Sequence, residues 1–327
     1  MTTVGILGAG GMGNVHANHY RKMPDVDLVV YDVDRDRRAQ FADRHRAGTM
    51  ESLEQILDRC DVADVCLPTD LHAEIGVRCL EAGRPTLMEK PMAASTSDAR
   101  RLIEASRESA TPLMPGQVVR FFPEFATARR LVLEGAVGTP AAVRMRRGGK
   151  APQGAGGWFK DHTRSGGVLL DLAVHDFDWL RWTLGEVVQV YSRSVRMSPA
   201  TPETVEGDYA LTTLTFDSGC VAHVESTWLD PSGFRAAFEV CGSDGMIEYD
   251  SRQASTLRTV TEAMTRAEAP LAGDDDPYFR QLRGFLDAVR DHAELPVRAE
   301  DGFAAVAIAE AAIESCRTGT PTIPNAL

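Results

Sequence analysis

The sequence predicts an α/β protein in which an N-terminal Rossmann domain precedes a C-terminal α/β domain with a large, mainly antiparallel open sheet. Short apolar strands alternate with helices up to about residue 119, and this alternation is typical of a parallel sheet with right-handed crossovers. Longer strands joined by turns follow from about residue 141, which indicates antiparallel pairing. We therefore expect a dinucleotide-binding domain over residues 1–119 and a substrate and oligomerisation domain over residues 120–327.

The chain opens with a strand, a glycine-rich loop and a helix. The apolar run Thr3–Leu7 leads directly into the loop, and the helix continues from Asn14. Glycines at this spacing permit a tight turn, a close backbone approach to a pyrophosphate and close packing of helix on strand. The start of the helix offers free N–H groups to the phosphates. The motif predicts a dinucleotide site formed by Gly8, Gly10, Gly11, Met12 and Gly13.

The second strand, Val26–Tyr31, is followed by a carboxylate that indicates which dinucleotide is bound. Asp32 lies nineteen residues after Gly13, where the Rossmann fold needs an acceptor for the adenosine ribose hydroxyls. A carboxylate there accepts from the 2′-hydroxyl of NAD and repels the 2′-phosphate of NADP. Three arginines follow that either offset part of this repulsion or form a solvated helix start: Arg35, Arg37 and Arg38. NAD is therefore favoured, with NADP less so.

Further strand–helix units complete the first domain. We expect strands at Val62–Leu67, Thr86–Met88 and Leu113–Val119 and helices at Leu71–Ala82 and Ala94–Ser109. Ligands bind at the carboxyl ends of such parallel strands. The residues at these ends include Gly8, Asp32, Pro68 and Lys90.

The second domain is predicted from six segments rich in β-forming residues: 141–147, 187–196, 210–216, 220–228, 235–241 and 246–249. Turns at Asp217–Gly219 and Gly242–Gly245 join four of them in pairs. Helices are expected at Ser165–Leu184, Tyr278–His292 and Asp301–Thr318, and the last is expected to pack back on the first domain. An open sheet of this size must be covered or paired, so its free face predicts the interface of a homodimer or homotetramer.

Composition limits the partners of the chain. Its formal net charge of -12 argues against nucleic acid or an anionic membrane as a partner. No apolar run approaches the roughly 20 residues of a membrane span, and the first strand begins at once without a signal pattern. The six cysteines are scattered without metal-ligand spacing, so we expect reduced thiols, no metal and a cytoplasmic protein.

Three residues outside the glycine loop point to proton chemistry. Asp171 and His175 are four residues apart in a predicted helix and would share one face. A carboxylate beside an imidazole fixes its tautomer and raises its affinity for a proton, although a core histidine with a helix ion pair gives the same pattern. The chain has only four lysines among 35 basic residues, and Lys90 is one of them. Because lysine, unlike arginine, can release a proton when buried, Lys90 is a third candidate.

With Gly8–Gly13, Glu89-Lys90-Pro91 and Asp171-x-x-x-His175 in this order, the chain resembles the glucose–fructose oxidoreductase / inositol dehydrogenase family over nearly its whole length. The resemblance implies a Rossmann domain joined to an open-sheet domain, assembled as dimers or tetramers. It also implies the reversible, NAD-dependent oxidation of a ring hydroxyl on a sugar or polyol.

The same resemblance implies roles for individual residues. His175 accepts the hydroxyl proton, Asp171 orients His175, and Lys90 binds the same oxygen. Further cofactor contacts are implied at Asp32, Arg37, Pro68, Thr69, His72, Glu89 and Lys90. The glycine-rich segment 148–162 has the composition of a sugar-binding lid or of a plain surface loop. Candidate substrate contacts there and at the start of the second domain are Gln117, Arg120, Trp158, Lys160 and His162.

Two other functions are compatible with these motifs. One is a glycoside hydrolase in which retained NAD oxidises the sugar transiently, and the other is a non-catalytic NAD-binding sensor. A sensor needs no proton acceptor, so the presence of Lys90, Asp171 and His175 favours an enzyme.

Overall fold

The computed structural model describes residues 1–196, 207–262, 264–268 and 276–327. The chain divides into two compact units, and each unit is assembled from several segments. The first contains Met1–Val118, Gly154–Gly156 and Asp275–Phe303, and the second contains Val119–Gln153, Gly157–Asp274 and Ala304–Leu327. The sequence predicts two continuous domains, 1–119 and 120–327, and that division of the chain remains a proposal.

The first unit contains a parallel sheet of six strands. Its strand order is β3-β2-β1-β4-β5-β6, which is the doubly wound order of a Rossmann fold and confirms the predicted class. Every pairing in it is parallel, as the strand–helix alternation requires. The strands are β1 (Thr2–Leu7), β2 (Val26–Tyr31), β3 (Gly48–Thr49), β4 (Val62–Val65), β5 (Thr86–Met88) and β6 (Leu113–Pro115).

The helices of this unit begin where side chains cap their free N–H groups. Asp34, Ser52 and Ser95 each accept from a backbone N–H of the following first turn. The helices are α1 (Gly11–Tyr20), α2 (Arg35–His45), α3 (Leu53–Arg59), α4 (His72–Glu81) and α5 (Thr96–Glu108), with a short 3-10 turn at Thr69–Leu71.

The second unit contains an eight-stranded sheet. Its first seven strands are β7 (Pro140–Gly148), β8 (Val187–Val195), β9 (Tyr209–Phe216), β10 (Val221–Thr227), β11 (Arg235–Gly242), β12 (Gly245–Asp250) and β13 (Leu257–Thr261), and β14 (Thr265–Glu268) is the last. The order is β14-β13-β12-β11-β7-β10-β9-β8, and among these described strands only the β7–β10 pair is parallel. The mainly antiparallel sheet was predicted, but its two-strand extension β13–β14 was not.

Helices cover one face of this sheet around an aromatic core. Phe125 meets Trp179 edge to face, with ring centroids 5.5 Å apart, and Trp179 stacks on Phe238 at 4.9 Å. The helices of the second unit are α6 (Pro123–Leu133), α7 (His162–Ser165), α8 (Gly167–Asp171) and α9 (Val174–Leu184). Helix α10 (Pro277–Asp291) belongs to the first unit, and α11 (Ala299–Thr318) has its first residues in the first unit and the rest in the second. Within the described residues, no helix combines the length and the apolar character that a bilayer crossing requires.

The predicted single helix Ser165–Leu184 is wrong. Gly166 adopts a left-handed conformation with φ of 71° and ends α7. A second break follows Asp171, where the N–H of Ala173 bonds back to the carbonyl of Val168 and closes a wide turn. Asp171 and His175 therefore lie on two successive helices rather than on one face of a continuous helix.

Candidate active site

The glycine loop between β1 and α1 has the shape that a pyrophosphate needs. Gly8 has a φ of 106°, and a Cβ there would lie 2.5 Å from the carbonyl oxygen of Cys66. A Cβ at Gly13 would overlap the carbonyl oxygen of Gly8, so only glycine lets α1 approach β1 this closely. No atom of the described residues lies within 4 Å of a Cβ at Gly10 or Gly11, which leaves their backbone open to a ligand.

Asp32 lies directly after β2 and is bonded to this loop. One carboxylate oxygen accepts from the N–H of Ala9 at 2.9 Å, and the other accepts from the N–H of Asp34 at 2.8 Å. The guanidinium of Arg37 lies 3.3 Å from both oxygens. Arg38 is instead buried and donates to the Asp32 carbonyl at 3.1 Å, so it supports the turn rather than a ligand. The loop and the carboxylate thus form one connected surface that fits a dinucleotide.

His72 joins two backbone turns of the first unit. Its ring nitrogens lie 2.8 Å from the carbonyl oxygen of Pro91 and 2.9 Å from that of Leu67. The ring is buried, and burial lowers the pKa of His72. Pro68 and Thr69 lie between Leu67 and His72, with Thr69 buried. These contacts favour a structural role for His72, whose assignment as a cofactor contact remains a prediction.

The Glu-Lys-Pro turn follows β5. Glu89 is buried, and its Oε2 accepts from the N–H of Lys90 at 3.0 Å. Lys90 itself is half-buried, and the Lys90–Pro91 peptide bond is cis. The turn thus brings the lysine to the carboxyl end of the parallel sheet, where the glycine loop also lies.

A buried cluster of ionisable groups lies beside this turn, and the sequence reasoning missed it. Nδ1 of His16 lies 2.8 Å from Oδ2 of Asp64, and its Nε2 lies 3.2 Å from Oε1 of Glu89. The thiol of Cys66 lies 3.4 Å from the same Nδ1, and burial raises the thiol pKa so that it stays protonated. The 2.8 Å contact makes His16 and Asp64 a hydrogen-bonded ion pair.

Asp171 and His175 lie on either side of the irregular turn between α8 and α9. Asp171 is buried and His175 is half-buried. The two other acids of α9 form buried ion pairs: Asp176 accepts from Arg147 at 2.7 and 2.9 Å, and Asp178 from Arg120 at 2.6 and 2.8 Å. Those pairs favour structural roles for Asp176 and Asp178, and the assignment of Asp171 to catalysis remains a prediction.

The predicted substrate contacts have different surroundings in the structure. The Arg120–Asp178 pair and the Trp182 ring, 5.0 Å below the guanidinium, favour a structural role for Arg120. His162 is buried with its ring 6.0 Å from that of Trp228, and Trp158 is half-buried and stacked on Phe159 at 3.9 Å. The side chain of Lys160 lies outside the described part of the structure.

Gln117 is the predicted contact whose burial points most directly to a ligand. Its side chain is buried, and neither its amide oxygen nor its amide nitrogen has a hydrogen-bond partner within the described residues. An unsatisfied buried amide is costly, and a ligand that reaches it would remove this cost.

Comparison with known proteins gives matches over both units. The model of an oxidoreductase family with an NAD-binding Rossmann fold matches residues 2–117, and that of the GFO/IDH/MocA C-terminal domain matches residues 125–248. The chain is 29% identical to the inositol 2-dehydrogenase of Rubrobacter xylanophilus, over 97% of this chain and 92% of that protein. It is 31% identical to inositol 2-dehydrogenase 4 of Saccharopolyspora erythraea, over 98% and 94%.

A solved structure is similar over the whole chain. That of GenD2 from gentamicin A biosynthesis, in complex with NAD, matches with a TM-score of 0.88 and 28% identity. The match covers 99% of this chain and 97% of that one.

Proposed function

This chain belongs to the GFO/IDH/MocA family of NAD-binding oxidoreductases, and we propose that it oxidises a ring hydroxyl of a polyol or sugar to a ketone. The observation that carries the proposal is a dinucleotide loop bonded to Asp32 in a chain that also holds Lys90, Asp171 and His175. Inositol 2-dehydrogenases are among its full-length relatives, which supports a cyclic polyol as substrate.

The first unit holds the cofactor through its backbone and one carboxylate. The open backbone at Gly10 and Gly11 and the start of α1 bind the pyrophosphate, and Asp32 accepts from the adenosine ribose. NAD, when bound, supplies the acceptor for the hydride that leaves the substrate carbon. Arg37 remains within reach of the ribose end because it lies 3.3 Å from Asp32.

Three side chains handle the hydroxyl proton. His175 takes the proton as general base, and Asp171 keeps the ring oriented and stabilises its charged form. The ammonium of Lys90 binds the same oxygen and stabilises the negative charge that develops on it. The C–H electron pair leaves as hydride and the O–H proton leaves to His175, which balances the oxidation of CH–OH to C=O. Each of the three residues contributes about 10²–10⁴ in rate.

Two further properties belong to the same proposal. We infer a homodimer or homotetramer that pairs through the sheet of the second unit, because the uncovered face of such a sheet needs a partner. The uncovered face of this sheet carries ion pairs such as that between Arg144 and Glu239, whose charged atoms lie 2.6 Å apart. We also infer a small-molecule substrate, since the charge of -12 disfavours nucleic acid and anionic lipid, and a cytoplasmic location, since the six scattered cysteines are typical of reduced thiols.

The test is NADH formation by the purified protein with NAD and a panel of inositols, aldoses and sugar acids. A substrate-dependent rise in NADH absorbance supports the proposal and identifies the ring configuration that the site accepts. NAD binding without any rise across the panel contradicts it. Glycosides would then test the hydrolase that uses NAD without net NADH release, which the dehydrogenase relatives do not favour.

A further inference from the structure

The turn that carries Lys90 is tied to helix α1 by a buried ion pair. Oε2 of Glu89 accepts from the N–H of Lys90, while Oε1 lies 3.2 Å from Nε2 of His16. The His16 side chain is 0% exposed and that of Glu89 is 6% exposed. Within the described residues, neither of these two facing atoms has a hydrogen-bond partner. The ion-pair contact between Nε2 of His16 and Oε1 of Glu89 therefore offsets the cost of burying these two atoms.

His16 is anchored on its other side. Its Nδ1 lies 2.8 Å from Oδ2 of Asp64, which belongs to the central strand β4 and is fully buried. Burial lowers the pKa of His16, but the contacts with Asp64 and Cys66 together outweigh it and raise that pKa well above 6.5. The ring is therefore a cation between two buried carboxylates, an arrangement whose geometry is costly to change because each charge depends on its neighbours.

We propose that His16 is a positioning residue for catalysis, whose ring, anchored to Asp64, holds the Glu89 carboxylate and so fixes the backbone turn that bears Lys90. The inference rests on the proposed role of Lys90. It adds that the position of Lys90 depends on helix α1, whose first turn is part of the dinucleotide loop.

Loss of the ring has a defined consequence. Without it, Oε1 of Glu89 loses the ring that it faces at 3.2 Å, so the carboxylate turns away from its site. The N–H of Lys90 then loses its fixed acceptor, and the ammonium shifts. A misplacement of about 1 Å in a catalytic group costs on the order of 10²-fold in rate. The dinucleotide loop is held separately by Gly13 against Gly8 and by Ala9 on Asp32, so NAD affinity changes far less.

The competing explanation is that the cluster only stabilises the core. A double-mutant cycle separates the two, because residues that act through one another have non-additive effects. We would measure single-turnover NADH formation and NAD affinity for His16→Asn, for Lys90→Met and for the double variant. The matched control is His19→Asn on the same helix. The ring of His19 stacks on Tyr278, with centroids 6.0 Å apart, rather than on the turn that bears Lys90.

We expect His16→Asn to lower the turnover rate about 10–100-fold, with the NAD Kd within about threefold of wild type. In the Lys90→Met background the same substitution should cost less than about threefold, because no positioned ammonium remains to be misplaced. His19→Asn should keep the wild-type rate. Equal factors in both backgrounds, or a wild-type rate for His16→Asn, would overturn the inference. Wild-type turnover by Lys90→Met would instead overturn the proposed role of the lysine, and this inference with it.

Variants whose activity is too low for kinetics can be compared by a chemical labelling experiment that needs no turnover. Trace acetylation of the NAD-free protein, quantified for each lysine by mass spectrometry, reports the environment of Lys90 against the exposed Lys150. We expect the ratio of the two labelling rates to change about threefold or more in His16→Asn and to stay unchanged in His19→Asn. If His16→Asn does not fold, Glu89→Gln, which removes the charge and keeps an acceptor for Lys90, should change the ratio in the same way. An unchanged ratio in a folded variant contradicts the inference.

Discussion

Gly13 on helix α1 packs against the carbonyl oxygen of Gly8 so closely that a Cβ atom has no room between them. The contact joins the end of strand β1 to the helix that follows it. Neither partner can yield, since the obstacle is backbone rather than a flexible side chain. The proposed phosphate site is therefore set by main-chain packing, whereas a Cβ at Gly10 or Gly11 would meet no atom of the part of the chain that the structure describes.

Substitution of the two kinds of glycine should separate folding from cofactor binding. Gly13→Ala forces the backbone apart, so we expect a loss of about 1–3 kcal/mol in stability and of NAD binding. Gly10→Ala meets no described atom within 4 Å and should cost less than about 1 kcal/mol in stability. It should still weaken NAD binding, because its methyl group stands where the pyrophosphate is expected to approach. Urea unfolding and NAD titration check both. Equal stability losses would contradict this division.

The carboxylate of Asp32 should set the preference for NAD. In Asp32→Ser the repulsion of a 2′-phosphate disappears while Arg37 remains nearby, so the ratio of kcat/KM for NADP over NAD should rise about 10–100-fold, or about 1.4–2.7 kcal/mol. Asp34→Ser is the control, because Asp34 caps α2 and serine can cap in its place. A similar rise in both variants would mean that net charge, rather than the Asp32 position, sets the preference.

The buried Arg147–Asp176 pair should hold the segment that carries His175. Burial raises the pKa of Asp176 and Arg147 opposes that rise. Arg147→Met leaves the carboxylate uncompensated, so we expect a loss of about 3–5 kcal/mol near neutral pH. The loss should shrink as the pH falls toward the raised pKa, because protonation removes the buried charge. The double variant with Asp176→Asn should recover most of the stability, and urea unfolding that shows no recovery would contradict the pairing.

The raised pKa of His16 makes the stability of the protein depend on pH. Its folded pKa exceeds the unfolded value of 6.5, so its contribution is complete below that pH and is lost as the pH rises through the folded pKa. Between about pH 6 and 9 the free energy of unfolding should fall more for the wild type than for His16→Asn. Parallel curves for the two proteins would show that the ring is neutral in the folded state.

Much of the fold follows from local patterns in the sequence. The strand, glycine loop and helix at the start of the chain are encoded by residues close together, and so is the end of β2 at Asp32. The β11–β12 hairpin was likewise predicted, because its turn residues lie between two alternating strands.

What sequence reasoning missed depends on contacts between distant residues. The break after Asp171 lies in a run of good helix formers, and only the bond from Ala173 back to Val168 reveals it. The cluster of His16, Asp64 and Glu89 joins three separate elements. One signal was present: an aspartate inside the short buried strand β4 needs a buried partner of opposite charge. The side-chain contacts of Arg120 could not be predicted, because its partner Asp178 lies 58 residues further along the chain and is one of several acids in its own segment.

The most direct test of the proposed chemistry is single-turnover NADH formation by Lys90→Met and the wild type, with the best substrate of the panel and saturating NAD. We predict that the variant binds NAD with a Kd within about threefold of wild type and forms NADH about 10²–10⁴-fold more slowly. A wild-type rate in the variant would contradict the assignment of Lys90 to the reacting oxygen.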